Sequence, residues 1–105
     1  SDKMRLPTLI FDEIDSGTSG KVANVIGDLM KRIGCKSQII AISHLAQVAA
    51  KASNHFKVYK ILSSDKPKTL LRKLNREERI KEIAAMISAD NITNPALDQA
   101  IELLK

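Results

Sequence analysis

The sequence predicts an α/β fold in which a parallel βαβ unit is followed by an antiparallel hairpin and two helices. Three observations predict it. Two short, continuous apolar runs, Thr8–Phe11 and Gln38–Ile42, frame a stretch with helical periodicity. Two further strand-like stretches, His55–Leu62 and Thr69–Leu74, flank the polar, proline-containing segment 63–68. The remainder holds two segments with helix-start signals and apolar residues three or four apart.

In the first run, Thr8-Leu9-Ile10-Phe11, hydrophobicity is unbroken rather than alternating, which predicts a strand buried on both faces. Gly17, Thr18, Ser19 and Gly20 suit a turn. Val22, Ile26, Leu29, Met30 and Ile33 then fall on one helical face, with Gly34 as the stop. The second strand ends at Ser43-His44, and because a helix separates it from the first, the two should lie parallel. Leu45 to Lys51 reads as a short alanine-rich helix. In the hairpin, Phe56 and Val58 fall on one side and Tyr59 and Ile61 on the other. Asn75 and Glu78 have the spacing of a capping box, ahead of Ile80, Ile83, Ala84 and Ile87. Asn94 should cap the last helix, with Pro95 in its first position and Leu97, Ile101 and Leu104 buried.

Composition narrows the class. The chain of 105 residues has room for one small domain or part of a larger one. Only Phe11, Phe56 and Tyr59 are aromatic, so the core must be aliphatic. The single cysteine, Cys35, excludes an internal disulfide and fits a reducing compartment. With His44 and His55 as the only histidines, a Cys/His metal site is out of reach. No apolar run approaches the roughly 20 residues a membrane helix needs. A net charge of +5 is compatible with a phosphate-rich partner without specifying one.

Two strand ends carry candidate chemistry. Leu9-Ile10-Phe11-Asp12-Glu13 delivers two adjacent acids at the carboxyl end of an apolar strand, the pattern of a nucleotide-binding sheet. In that reading Asp12 holds Mg²⁺ through water, and Glu13 orients the water that attacks a terminal phosphate. Taken alone, such an acidic pair is more often a solvated turn. Ile40-Ala41-Ile42-Ser43-His44 places a histidine at the end of the neighbouring strand, where an imidazole can donate to a phosphate oxygen. Parallel strands would bring both signals to one rim. Between them, Asp15-Ser16-Gly17 reads equally well as an ordinary turn or as a loop lying close to a second subunit.

Together these residues resemble the C-terminal portion of a P-loop, ABC-type ATPase head, and within that superfamily the SMC-like proteins of bacterial double-strand-break repair. The resemblance runs from Asp12-Glu13-Ile14-Asp15-Ser16-Gly17-Thr18-Ser19-Gly20 through Ser43-His44-Leu45-Ala46-Gln47-Val48-Ala49 and His55-Phe56-Lys57-Val58. It continues in Glu82 to Ile87 and Ala100 to Leu104, so it covers residues 1–105 as one sub-domain. It implies that Asp12 is the Walker B acid beside Mg²⁺, Glu13 the catalytic base and His44 the switch histidine. Asp15, Ser16 and Gly17 become the D-loop that meets a second head across the nucleotide. Other heads of this superfamily usually carry Ala and Leu in that loop, which makes transfer of their detailed D-loop contacts doubtful. The implied cofactors are ATP and Mg²⁺. The implied partners are an identical head and DNA, and the implied location is the nucleoid-associated bacterial cytoplasm.

Walker A, Q-loop and signature motifs are missing from the sequence, so this chain alone is expected to bind ATP weakly and not to turn it over. Two other readings compete. Lys57, Lys60, Lys66, Lys68, Arg72, Lys73, Arg76, Arg79 and Lys81 could form a DNA-binding face, although a charge run is usually just solvated. A receiver-like phospho-acceptor domain is disfavoured, because the acids form one adjacent pair and the hairpin interrupts the βα alternation.

Overall fold

A computed structural model describes residues 7–12, 19–89 and 91–105. Its elements are β1 (Leu9–Asp12), α1 (Gly20–Gly34), β2 (Ile39–Ile42), α2 (Ala46–Ala49), β3 (Phe56–Ser63), β4 (Lys66–Lys73), α3 (Arg76–Ser88) and α4 (Asn94–Leu103). β1 and β2 pair in parallel with Leu9 opposite Ile39 and Asp12 opposite Ile42. The Leu9 N–H donates to the Gln38 carbonyl at 2.9 Å, locking the register at its start. β3 and β4 form a separate antiparallel pair, from Phe56 opposite Lys73 to Ser63 opposite Lys66. The expected order of elements is therefore present.

The parallel pair is covered on one face only among the described residues. Leu9, Phe11 and Ile39 turn to that face, and Phe11 and Ile39 pack toward Ala23, Met30 and Val48. Ile10, Ile40 and Ile42 occupy the other face, and Ile10 is 66% exposed. Burial on both faces, the expectation from continuous hydrophobicity, does not hold here, because α1 and α2 supply a single layer.

α1 begins at a Ser19 cap whose hydroxyl accepts from the Val22 N–H. Its buried residues are Ala23, Gly27 and Met30, rather than the whole Val22, Leu29, Met30 stripe; Val22 and Leu29 are exposed. The small residues explain the rotation. A methyl group added at Gly27 would lie 3.0 Å from the Gln47 carbonyl oxygen and 2.9 Å from Lys51 Cγ. α1 and α2 thus approach backbone to backbone, and the larger apolar side chains fall to either side. Gly34 ends the helix without a left-handed cap; the chain continues into Cys35 at φ −67°, whose N–H reaches the Arg32 and Ile33 carbonyls.

α2 also belongs to the larger core. Ala46 and Ala50 pack with Ile83, Ala84, Ala96 and Ala100, with Ile80, Ile87, Leu97 and Leu104 around them. Alanine at these crossings lets three helices meet closely, so a chain poor in aromatics still closes a core. α3 starts with the expected capping box: Asn75 Oδ1 accepts from the Glu78 N–H, and Glu78 Oε1 accepts from the Asn75 N–H, both at 2.9 Å. α4 is capped by Thr93, not Asn94, and Ala96 and Ala100 take the buried positions while Ile101 stays exposed.

The hairpin turn is tighter than the six-residue loop expected from sequence. Only Ser64 and Asp65 turn the chain, with φ of 48° and 64°, the left-handed pair that matches strand twist. Lys66, Pro67 and Lys68 extend β4. Among the described residues, no helix is long and apolar enough to cross a membrane.

Gly27→Ala gives a direct check on the α1–α2 contact. Helix propensity favours Ala by up to about 1 kcal/mol, whereas overpacking against backbone costs about 1–3 kcal/mol. Chemical denaturation should show a net loss of roughly 1 kcal/mol, with faster amide exchange across Gln47–Lys51. Gly20→Ala, which meets only the flexible end of Gln47, should be near neutral.

Candidate active site at the strand ends

Both candidate strand ends open on the same side. Asp12 is the last residue of β1 and stands opposite Ile42, the last residue of β2. His44 follows two residues later, so the parallel pairing brings Asp12 and His44 to the carboxyl edge of the pair. Both are exposed. Glu13, Asp15, Ser16 and Gly17 lie outside the described residues, between Asp12 and the Ser19 cap of α1.

The local chain around His44 is tied down on each side. Ser43 Oγ accepts from the Leu45 N–H at 3.0 Å, turning the backbone out of the strand before α2. Leu45 packs toward Ala23, Met30 and Val48. His44 therefore sits between two partly buried residues while its own ring faces outward. Asp12 offers a hard oxygen donor at an open edge, and no group of three or more metal-binding side chains occurs among the described residues.

α2 is held from two directions. On the α1 side, Lys51 Nζ pairs with the Asp28 carboxylate at 2.9 Å; the hydrogen bond that Lys51 donates, aided by its charge, holds the Asp28 carboxyl below its usual range. On the α3 side, Arg79 donates to the Ala49 carbonyl at 3.2 Å and the Ala52 carbonyl at 2.9 Å. Arg79 thus ties α3 to the end of α2, where the Ala49 carbonyl also accepts from the Ala52 N–H at 3.3 Å. Sequence reading placed Arg79 on a basic face. The usable signal was its position four residues before Ile83, on the buried side of α3.

Two other members of that basic run are also engaged internally. Lys57 pairs with Glu82 at 2.7 Å, and Arg72 pairs with Glu78. Of the nine cations, Lys57, Arg72 and Arg79 are thus held by partners within the chain.

His55, beside Arg79, has a buried Nδ1 with no hydrogen-bond partner. Burial, reinforced by the Arg79 charge and partly opposed by Glu82, lowers its pKa below the ordinary 6.5. The Glu78 carboxyl is also lowered, first by the hydrogen bond from the Asn75 N–H and then by Arg72.

Comparison with solved structures bears on the fold. The chain has the fold of part of an SMC-type ATPase. It superposes with a TM-score of 0.57 on a solved chain described for ATP-driven dimerization and DNA-stimulated activation of SMC ATPases. The match covers 72% of this chain and 45% of that one, at 24% identity. No family model matches the chain. Sequence comparison is more particular. The chain is 45% identical over 103 residues to the DNA repair protein RecN of Rickettsia conorii. It is 38% identical over 104 residues to RecN of Haemophilus influenzae, and 36% over 105 residues to RecN of Bacillus subtilis. These alignments cover 98%, 99% and 100% of this chain but only 19%, 19% and 18% of the relatives. The chain is a RecN-family segment, spanning about a fifth of the length of the curated relatives it matches.

Two outcomes follow from the α2 anchoring. Arg79→Met removes two charge-assisted hydrogen bonds and should lower stability by about 2 kcal/mol in a urea titration. For His55, the folded state resists protonation, so the unfolded chain takes up the proton first. Its contribution is complete above about pH 6.5 and declines as pH falls below that value. Melting temperature should therefore drop between pH 7 and 5, before the carboxylates titrate, and His55→Gln should flatten that slope.

Proposed function

We propose that this segment supplies the hydrolytic edge of a RecN ATPase head. In this reading Asp12 is the Walker B acid, Glu13 the catalytic base and His44 the switch histidine. Asp15, Ser16 and Gly17 form the D-loop facing a second, identical head across ATP. The parent works on DNA breaks in the bacterial cytoplasm, where its heads engage on ATP and part after hydrolysis.

The single observation that carries the reading is the β1–β2 register, with Asp12 opposite Ile42 and His44 just beyond. A nucleotide binds beyond the carboxyl ends of parallel strands in sheets of this kind. The Asp12 carboxylate would orient waters around Mg²⁺, which when bound neutralises charge on the β- and γ-phosphates. Glu13 would accept a proton from the attacking water as it aligns with the γ-phosphate. His44 would donate a hydrogen bond to a γ-phosphate oxygen and stabilise charge that grows there in the transition state. Residues 13–18 join Asp12 to the Ser19 cap of α1 in the chain, so a partner head meeting Asp15, Ser16 and Gly17 would act within a few residues of Glu13. The likeness to RecN and to an SMC ATPase chain supports the same assignment.

The test belongs in the full-length parent. Glu13→Gln should reduce ATP hydrolysis by at least about a hundredfold, while ATP binding and ATP-dependent head association persist. Turnover near the parental rate would remove Glu13 from the catalytic role. The isolated chain should show no hydrolysis above background.

A further inference from the structure

A second site is built where the 53–55 turn, the end of β4 and the start of α3 meet. A cleft of about 270 Å³ lies there, lined by Ser53, Asn54, His55, Lys73, Arg76 and Arg79, with Leu74 and Leu104 closing its apolar side. Four of these residues carry or can acquire positive charge, and none carries an acid. The carboxylate whose charge acts on His55 is Glu82, which is already paired with Lys57.

Two residues of the lining also carry unsatisfied polar atoms. His55 Nδ1 and Arg79 Nε are both buried and lack hydrogen-bond partners. Buried nitrogens of this kind are costly unless something completes them. Arg79 cannot swing away to water, because its terminal nitrogen is anchored on the Ala49 and Ala52 carbonyls. Lys73 and Arg76 are exposed and form no ion pair with a carboxylate among the described residues.

We propose that this cleft binds a phosphate group, with Lys73 and Arg76 attracting it and His55 and Arg79 completing its hydrogen bonds. A phosphate oxyanion fits the chemistry because it is compact, carries several acceptors and offsets the repulsion among the cations. The site shares no residue with the strand ends, so it stands whether or not Asp12, Glu13 and His44 act on ATP. Binding should also draw a proton onto His55. Burial first, and then the Arg79 charge, oppose that proton in the empty cleft, while Glu82 favours it; Lys73 and Arg76 line the same cleft, and a bound dianion would outweigh the opposition. The phosphate could come from a DNA backbone or from a free phosphate compound; the chemistry at the cleft is the same.

The test uses the 105-residue chain and follows the His55 side-chain signals by NMR. Sulfate serves as a dianion whose charge does not change between pH 5.5 and about 8, inorganic phosphate as the free ligand, and a short DNA duplex as the backbone source. Sulfate and phosphate should shift the His55 signals saturably, with sulfate binding at least tenfold tighter at pH 5.5 than at pH 8. The paired change Lys73→Gln with Arg76→Gln, at exposed positions, should weaken binding at least tenfold while the remaining amide spectrum stays folded. Competition by the duplex for the same signals would assign the backbone source; saturation by phosphate without such competition would assign a free phosphate compound. Either result supports the site. Absence of a saturable His55 response to all three probes, or a response unchanged in the double variant, would overturn it.

Discussion

The parallel pairing of β1 with β2 is the constraint on which the rest of the structure depends. A parallel pair cannot be closed by a tight turn; it needs a crossover, and α1 provides it. That crossover sends both strands in one direction, so their last residues, Asp12 and Ile42, come out at one edge. An antiparallel pairing of the same segments would have put the acid and the histidine at opposite ends. The geometry of the edge is thus set by backbone hydrogen bonding. The side chains that line it are free to be polar and exposed.

Keeping His44 at that edge falls largely to α2, a helix of four residues that has too few hydrogen bonds to be stable by itself. Its neighbours hold it. Gly27 allows α1 to touch its backbone, Lys51 and Asp28 bridge the same pair, and Arg79 anchors its far end from α3. Val48 belongs to the α1 core while Ala46 and Ala50 belong to the α3–α4 core. A shift of α3 would therefore be felt at α2 and, through Leu45 and Ser43, at His44.

Much of this fold was legible in the sequence, for identifiable reasons. Continuous apolar runs separated by a helical period announced the βαβ unit, and Asn75 with Glu78 announced the start of α3. What escaped detection depended on small residues or local backbone. Ala23 and Gly27 carry little hydrophobic signal, yet they decide which face of α1 is buried. Ser64 and Asp65 adopt positive φ without the glycine that normally marks such a turn. Thr93 and Asn94 are both competent caps, and the chain uses the earlier one. At the candidate site, the shared edge of Asp12 and His44 followed from strand order alone, whereas Glu13, Asp15, Ser16 and Gly17 fall outside the described residues. Arg79 was hidden among eight other cations, because charge says nothing about which of them points inward.

In the function proposed for this edge, Asp12 and His44 serve the terminal phosphate of one nucleotide. A double-mutant cycle on kcat in the full-length parent tests it most directly, using Asp12→Asn, His44→Ala and the pair. Groups that serve one transition state lose their effects together, so the double variant should be little slower than the worse single variant. Losses that multiply, each substitution acting as though the other were absent, would contradict the claim.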